Sequence, residues 1–278
     1  MAYKTILLHV NDERRVAGLV DIAAHLAARF EAHLIGLFVL PRIPTYGATS
    51  AGAAMIESGL AAFRKEAKRA ETAFEAACKG RQIVSEWRLA SPRQQGVAET
   101  VMEHGRAADL IIAGQRDPAF DFSAQLDVPE RLAIESGRPV LVVPRSGRFP
   151  KPGRRVTIAW NGRREAARAT FDALPLLKAA EQVRIVWVNP QSESERAGDL
   201  PAAEIAVALA RHGVKCEGAI SSAPDVKVGD VLLTDLMQDG SDLLVMGAYG
   251  HSRFREFVFG GATRHVLQHM TVPVLLSH

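Results

Sequence analysis

A glycine-rich segment in the last third of the chain holds the residues best suited to bind a phosphate group. Gly247 ends a short apolar run, Gly250 follows it, and Gly260-Gly261-Ala262-Thr263 precedes a helical pattern. Glycines after a strand let the backbone approach a ligand closely. The free N–H groups at the start of a helix attract phosphate. The spacing therefore predicts a phosphate-binding loop between a strand and a helix.

Side chains of the same segment could add contacts to a phosphate or a ribose. Thr263 offers a hydroxyl donor, His251 lies inside the segment, and Arg253, Arg255 and Arg264 carry positive charge. The alternative is a glycine-rich turn that only connects a strand to a helix. The residue types by themselves leave both interpretations open.

Other kinds of chemistry have less support in the sequence. There is no G-x-S-x-G nucleophile elbow and no G-x-x-x-x-G-K-(S/T) loop. His265 and His269 are four residues apart, but no third metal ligand is evident, which favours a solvated helix face near the helix C-terminus. The 2 cysteines, Cys78 and Cys216, are far apart, so we expect no disulfide framework and no metal site.

Composition indicates a globular protein in a reducing compartment. Hydrophobic residues make up 47% and charged residues 23% of the chain. A net charge of +3 argues against a nucleic-acid partner, which would need a concentrated basic surface. No apolar stretch approaches the roughly 20 residues of a membrane helix, and the apolar run at residues 6–10 is too short for a signal peptide. We expect a cytoplasmic protein with no membrane contact.

The elements that would position the glycine-rich segment occur twice along the chain. Residues 108–114 resemble residues 241–247, and residues 5–11 resemble residues 156–161. The pattern predicts one ancestral domain used twice, with domains at 1–145 and 154–278 and a linker rich in Pro, Gly and basic residues between them. The first copy is longer, and its extra residues fall in a Pro-, Gly- and Ala-rich stretch at 41–59, predicted to be a loop.

Each copy alternates apolar strand-like runs with longer helical segments. Nearly continuous apolar strands are covered on both faces, as in parallel sheets. The predicted fold class is α/β, with two doubly wound, Rossmann-like domains. In such sheets a ligand lies beyond the carboxyl ends of the strands, which directs attention to Asn161, Val188 and the segment after Gly247.

The glycine spacing resembles the signature G-x2-G-x9-G-(S/T) of the universal stress protein family. Gly247, Gly250 and Gly260 match it, whereas Gly261 stands where the family has a hydroxyl residue and Asn161 where it has an acid. The resemblance implies an adenine-nucleotide alpha-hydrolase-like fold, two domains paired as an intramolecular pseudo-dimer, and bound ATP or AMP, with Mg²⁺ as a candidate companion. It places the adenine near Val188.

The first copy lacks this loop. Asp117 aligns with Gly250, and Leu126-Asp127 aligns with Gly260-Gly261. Carboxylates there would repel phosphates, so we expect nucleotide in the second copy only.

The leading hypothesis is a nucleotide-binding stress or signalling protein whose occupancy changes its contacts with an unidentified protein partner, with homodimer formation left open. Two alternatives are a slow ATP-hydrolysing enzyme and a nucleotide-free interaction scaffold. The predicted nucleotide site comprises Asn161, Val188, Gly247, Gly250, His251, Arg253, Gly260, Gly261, Ala262 and Thr263.

Overall fold

The chain divides into two compact units, Tyr3–Arg138 and Pro139–His278. A computed structural model describes residues 2–10, 13–41, 50–92, 96–117, 128–190, 202–249 and 261–278. The side chains of residues 13 and 50–56 lie outside that description. The units are described one after the other below.

The first unit contains a parallel sheet with helices in the crossovers. Its strands follow the order β3-β2-β1-β4, and β1 pairs in parallel with both β2 and β4. A short 3-10 turn at Glu13–Arg15 leads into the first helix. The elements in chain order are β1 (Thr5–His9), α1 (Val16–Phe30), β2 (His33–Val39), α2 (Ser50–Gly80), β3 (Ser85–Ala90), α3 (Val97–Gly105), β4 (Leu110–Gly114) and α4 (Val128–Glu135).

The second unit repeats the same strand order and adds two strands, one parallel and one antiparallel. Its order is β5-β10-β9-β6-β7-β8, in which β5 pairs antiparallel with β10 and the other pairs are parallel. The elements are β5 (Val140–Val143), β6 (Arg155–Ala159), α5 (Arg164–Asp172), α6 (Leu174–Leu177), β7 (Gln182–Val188), α7 (Ala203–Arg211), β8 (Cys216–Ser221), α8 (Val228–Asp239), β9 (Leu243–Gly247), α9 (Gly261–His269) and β10 (Val274–Ser277).

Strand β5 therefore lies in the compact unit formed by the second half, although the repeat assigns it to the first. Its residues Leu141 and Val142 pair with Leu275 and Val274 of β10. The division at Arg138 falls a few residues before the sequence-predicted end of the first domain at residue 145. Compared with the sequence-predicted domains, the second unit therefore gains β5 and the linker that follows it.

The predicted α/β fold with mostly parallel sheets is confirmed. The central strands are mainly apolar, and Leu7, Ile111, Ile158, Val245 and Leu275 are fully buried. Strands that are covered by helices on both faces need apolar side chains in both directions. This requirement explains why the apolar runs in the sequence do not alternate.

The repeated Asp of each half has a structural role at the sheet. Asp109 Oδ2 accepts hydrogen bonds from the backbone N–H groups of Lys4 and Thr5 at 2.7 and 3.0 Å. Asp242 Oδ1 accepts from Gly153, Arg154 and Arg155 at 2.9, 3.0 and 3.1 Å. Asp109, just before β4, thus connects that strand to the start of β1. Asp242, just before β9, connects that strand to the start of β6 in the same way.

Two features differ from the sequence-based expectations. Helix α2 begins at Ser50, so residues 50–59 are helical and the predicted loop at 41–59 was wrong in that part. The run Ser50-Ala51-Gly52-Ala53-Ala54 contains three alanines, and alanine is the strongest helix former. Strand β8 was not foreseen, because it lies at the sheet edge and carries exposed and polar residues in place of an apolar run.

Candidate functional site

A cavity of about 150 Å³ lies beyond the carboxyl ends of β6, β7 and β9 in the second unit. This is the edge of a doubly wound sheet at which ligands bind. The cavity also reaches the first turns of α5, α8 and α9. Its lining contains every predicted site residue that the structure describes: Asn161, Val188, Gly247, Gly261, Ala262 and Thr263.

The other four predicted site residues lie outside the described part of the chain. They belong to the segment at residues 250–260, between Gly247 and α9. Their assignment remains a prediction from the glycine spacing. These residues are Gly250, His251, Arg253 and Gly260.

One wall of the cavity is apolar. It is formed by residues from β7, α8 and β9: Val186, Val188, Val228, Leu232 and Met246. Val186 is fully buried and Leu232 is 2% exposed, whereas Val228 is 40% exposed and stands at the mouth. A wall of this kind suits a flat, weakly polar ring such as a nucleobase.

Gly247 allows helix α5 to approach the sheet at the cavity. A Cβ atom at this position would come within 2.6 Å of the Ala166 backbone nitrogen and 2.8 Å of the Glu165 Cβ. Real Cβ atoms do not approach other atoms so closely. The sequence suggested that this glycine leaves room for a ligand. In the structure it leaves room for the first turn of α5, which then forms part of the cavity wall.

The N-terminus of α9 also lines the cavity. Gly261, Ala262 and Thr263 are the first three residues of this helix, and all three line the cavity. The first N–H groups of a helix have no partner within the helix and carry a partial positive charge. This end of the cavity therefore suits an anionic group.

Thr263 is held in place by the residue that follows β9. It is 4% exposed, and its Oγ1 accepts a hydrogen bond from the Tyr249 backbone N–H at 3.3 Å. Tyr249 has a positive φ of 53°, which non-glycine residues adopt rarely. As the acceptor of that bond, the threonine hydroxyl keeps its own proton for donation to a further acceptor. The donor role predicted for Thr263 is compatible with this geometry.

Asn161 lies at the cavity but is engaged in a local turn. Its Oδ1 accepts a hydrogen bond from the Arg163 backbone N–H at 3.1 Å. This contact shapes the loop between β6 and α5, as Asn side chains do in turns. The amide oxygen of Asn161 is therefore committed to the turn.

A buried acid, Glu165, was missed by the sequence analysis. It is the second residue of α5, lines the cavity and is 5% exposed. Burial by itself raises the pKa of its carboxyl. The hydrogen bond from Arg164 Nε at 2.6 Å, its own backbone N–H and the charges of Arg164 and His278 outweigh burial and bring the pKa below the ordinary value. Glu165 is thus ionised at neutral pH. The feature of the sequence that could have pointed to Glu165 is its position four residues after Asn161.

The equivalent place in the first unit carries the opposite charge. Arg15 lies four residues after Asn11, as Glu165 lies four residues after Asn161. Its Nη1 donates to the Gln115 backbone oxygen at 2.6 Å, and its guanidinium lies against Gly114, the counterpart of Gly247. Asp117, expected to repel phosphates, has its carboxylate 3.4 Å from the Arg14 guanidinium.

His265 and His269 are tied into the protein and are not simply solvated. His265 Nε2 lies 2.6 Å from Asp230 Oδ1 and so connects α9 to α8. The two imidazole rings stack at 4.3 Å, and His269 Nδ1 lies 2.9 Å from the His265 carbonyl oxygen. The pair fixes the helix whose N-terminus lines the cavity against the helix that supplies part of the apolar wall.

Metal-site geometry is absent from the described part of the chain, where no three His, Cys, Asp or Glu side chains form a cluster suited to an ion. Both cysteines are free, and burial raises the pKa of the Cys78 and Cys216 thiols. None of the described helices combines the length and apolarity needed to cross a membrane.

Similarity to known proteins agrees with this architecture. Residues 153–278 match the model of the Universal stress protein family. Over 172 residues the chain is 29% identical to Universal stress protein Slr1230 of Synechocystis sp., a match that covers 60% of this chain and only 57% of that protein.

Solved structures show the same fold over nearly the whole chain. A universal stress protein from Archaeoglobus fulgidus DSM 4304 superposes with a TM-score of 0.69 at 17% identity, covering 98% of this chain and 95% of its own. A putative universal stress protein from Pseudomonas aeruginosa UCBPP-PA14 gives 0.62 at 14% identity, covering 99% and 93%. Likeness at such identities establishes the fold and leaves the ligand open.

Proposed function

We propose that the second half of the chain, whose residues 153–278 match the model of the Universal stress protein family, binds an adenine nucleotide, ATP or AMP. The observation that carries the proposal is the cavity at the carboxyl ends of β6, β7 and β9. It joins an apolar wall to the N-terminus of a helix, and a nucleotide likewise joins an apolar base to an anionic phosphate.

The two ends of the cavity orient the ligand. We place the base against Val186, Val188 and Leu232, where burial of its ring surface is favourable. The phosphate then points to the first turn of α9, and contacts from Gly250 and Gly260 are predicted from the glycine spacing alone. Thr263 adds a hydroxyl donor at this end.

Binding is proposed to act as a signal. The cavity is formed by the first turns of three helices, α5, α8 and α9, so a ligand there would stabilise their mutual arrangement. The affinity of those helix surfaces for another protein would then depend on whether nucleotide occupies the cavity. This assigns the protein a role in stress response or signalling through an unidentified protein partner.

The first test is mass spectrometry of small molecules released from the purified, denatured protein, with an adenine nucleotide as the expected finding.

The second test is the unfolding temperature with and without millimolar ATP or AMP. A ligand that binds only the folded state at 100 times its Kd adds about 2.7 kcal/mol, which corresponds to a rise of roughly 5 °C or more. The proposal would be refuted if no nucleotide were released and neither ligand raised the unfolding temperature.

A variant at the phosphate end separates binding from folding. Ala262→Asp places a carboxylate at the N-terminus of α9, where it favours the helix but repels phosphate. We expect the free protein to unfold at nearly the wild-type temperature and to lose the rise caused by ATP. Ala203→Asp, in the first turn of α7 and outside the cavity lining, should keep that rise.

A further inference from the structure

Glu165 presents an unusual combination for a residue in an anion-binding cavity: it is acidic, ionised and almost fully enclosed. Its side chain is 6% exposed, and Gly247 on β9 lies directly beside it. Its carboxylate pairs with Arg164, whose own side chain is 82% exposed. A carboxylate offers about four acceptor positions on its two oxygens. Glu165 therefore keeps acceptor capacity on the side of the cavity.

The sheet order places Glu165 at a defined distance from the proposed base. Val188 lies on β7, Gly247 lies on β9, and β6 separates the two strands. Neighbouring strands are about 4.8 Å apart, so Gly247, the residue beside Glu165, is roughly 10 Å across the sheet from Val188. A nucleotide that extends from the apolar wall toward the N-terminus of α9 passes the carboxylate with its sugar or its first phosphate.

Charge decides between these two groups. A carboxylate and a phosphate in a partly desolvated cavity repel each other, and the repulsion weakens little with salt. Sugar hydroxyls are donors, and a hydrogen bond to a charged acceptor is roughly twice as strong as one between neutral groups. Asn161 is the weaker acceptor for the same task, because its amide oxygen is uncharged and also accepts from the Arg163 N–H.

We propose that Glu165 is a specificity-determining residue that accepts hydrogen bonds from the ribose hydroxyls of the bound nucleotide. The inference rests on the proposed nucleotide function and deepens it. A ligand without these hydroxyls would leave a buried carboxylate with unfilled acceptor positions, which is costly. The site therefore selects a ribonucleotide over a nucleotide that lacks the vicinal hydroxyls.

The first unit supplies an internal contrast. At the position equivalent to Glu165 it has Arg15, a side chain with donors only. The Arg15 guanidinium lies against Gly114 and donates to the Gln115 backbone oxygen. This half cannot accept from a sugar hydroxyl at that position, in agreement with nucleotide binding by the second half only.

The test compares the Kd values of ATP and 2′,3′-dideoxyATP by calorimetry. For the wild-type protein we expect ATP to bind about tenfold to a hundredfold more tightly, the range that follows from one hydrogen bond to a charged acceptor. In Glu165→Gln, which keeps the shape and removes the charge, this ratio should fall to about threefold or less. The ratio is the readout, because removing a negative charge also changes the affinity for any phosphate ligand.

Glu204→Gln is the matched control. Glu204 is the second residue of α7, as Glu165 is of α5, but it is exposed and outside the cavity lining. The control should keep the wild-type ratio of the two Kd values. It separates the general effect of removing an acid from a first helical turn from the loss of a contact with the ligand. Equal Kd values for the two ligands in the wild-type protein, or an unchanged ratio in Glu165→Gln, would overturn the inference while leaving nucleotide binding intact. Failure of ATP and AMP to bind the wild-type protein would overturn the proposed function and this inference together.

Discussion

Gly247 and Ala166 are so close that a Cβ atom on the glycine would lie 2.6 Å from the alanine backbone nitrogen. They are far apart in the chain, and their contact brings the first turn of α5 against the end of β9. The cavity wall that carries Glu165 exists because of this contact. A residue that resembles part of a phosphate loop in the sequence thus has a packing role in the fold.

Gly247→Ala should therefore destabilise the protein and weaken ligand binding. Overpacking of this kind costs about 1–3 kcal/mol, because backbone must move to admit the methyl group. Chemical denaturation measures the loss. Gly261→Ala is the comparison, since a Cβ there meets no atom of the described residues within 4 Å. It should leave stability unchanged or slightly higher. Equal effects of the two substitutions would contradict the packing role of Gly247.

Gly250→Asp tests the phosphate loop, which is predicted from sequence alone at this position. If the glycine lets backbone N–H groups reach phosphate, a Cβ and a carboxylate should abolish nucleotide binding. The first copy has Asp117 at the aligned position, so the free protein should unfold at nearly its usual temperature. Gly260→Asp should also abolish binding, with a larger loss of stability. Retention of the wild-type ATP-induced rise in Gly250→Asp would place the phosphate elsewhere.

Calorimetric titration with ATP should show one site per chain. The second unit has the cavity and Glu165, whereas the first has Arg15 against Gly114 and a carboxylate at Asp117. A stoichiometry of two equivalent sites would show that the differences between the halves do not prevent binding.

Asp242→Ala should lower stability by about 2 kcal/mol. Its carboxylate accepts hydrogen bonds from the backbone N–H groups of Gly153, Arg154 and Arg155. Bonds to charged groups contribute about 1.5–3 kcal/mol each, but these N–H groups lie near the surface and can bond to water after the substitution. Urea unfolding gives the change. Asp225→Ala, at an exposed position, serves as the control and should shift the midpoint little.

Glu99 should make stability depend on pH in the acidic range. The hydrogen bond from Arg131 holds the pKa of Glu99 below its ordinary value of 4.5, although burial opposes this. A lowered pKa in the folded state adds stability above the unfolded-state value, and that stability is lost as pH falls through the folded value. Glu99→Gln should therefore destabilise by about 1–1.5 kcal/mol at pH 7, with a difference from wild type that shrinks below pH 4.5. A constant difference from pH 7 to pH 3 would exclude the ionised pair as its cause.

The fold could be predicted because its signals are local and occur twice. The resemblance of residues 108–114 to 241–247 and the apolar strand runs were sufficient for an α/β fold with a repeat. Even so, β8 and the first part of α2 were not recognised. An edge strand lacks the apolar run of a central one, and a glycine within an alanine-rich segment resembles a loop as much as a helix.

The sequence by itself determined where the cavity would be, because parallel strands bring their carboxyl ends to one edge of the sheet. Asn161, Val188 and Gly261 were expected there from that rule and from the glycine spacing, and all three line the cavity. Only the tertiary structure decided what each residue does. Asn161 closes a turn, Gly247 admits a helix, and Glu165 becomes an ionised acid in an enclosed place. These roles depend on burial and on contacts between distant segments, and neither is a property of a residue type or of its neighbours in the chain.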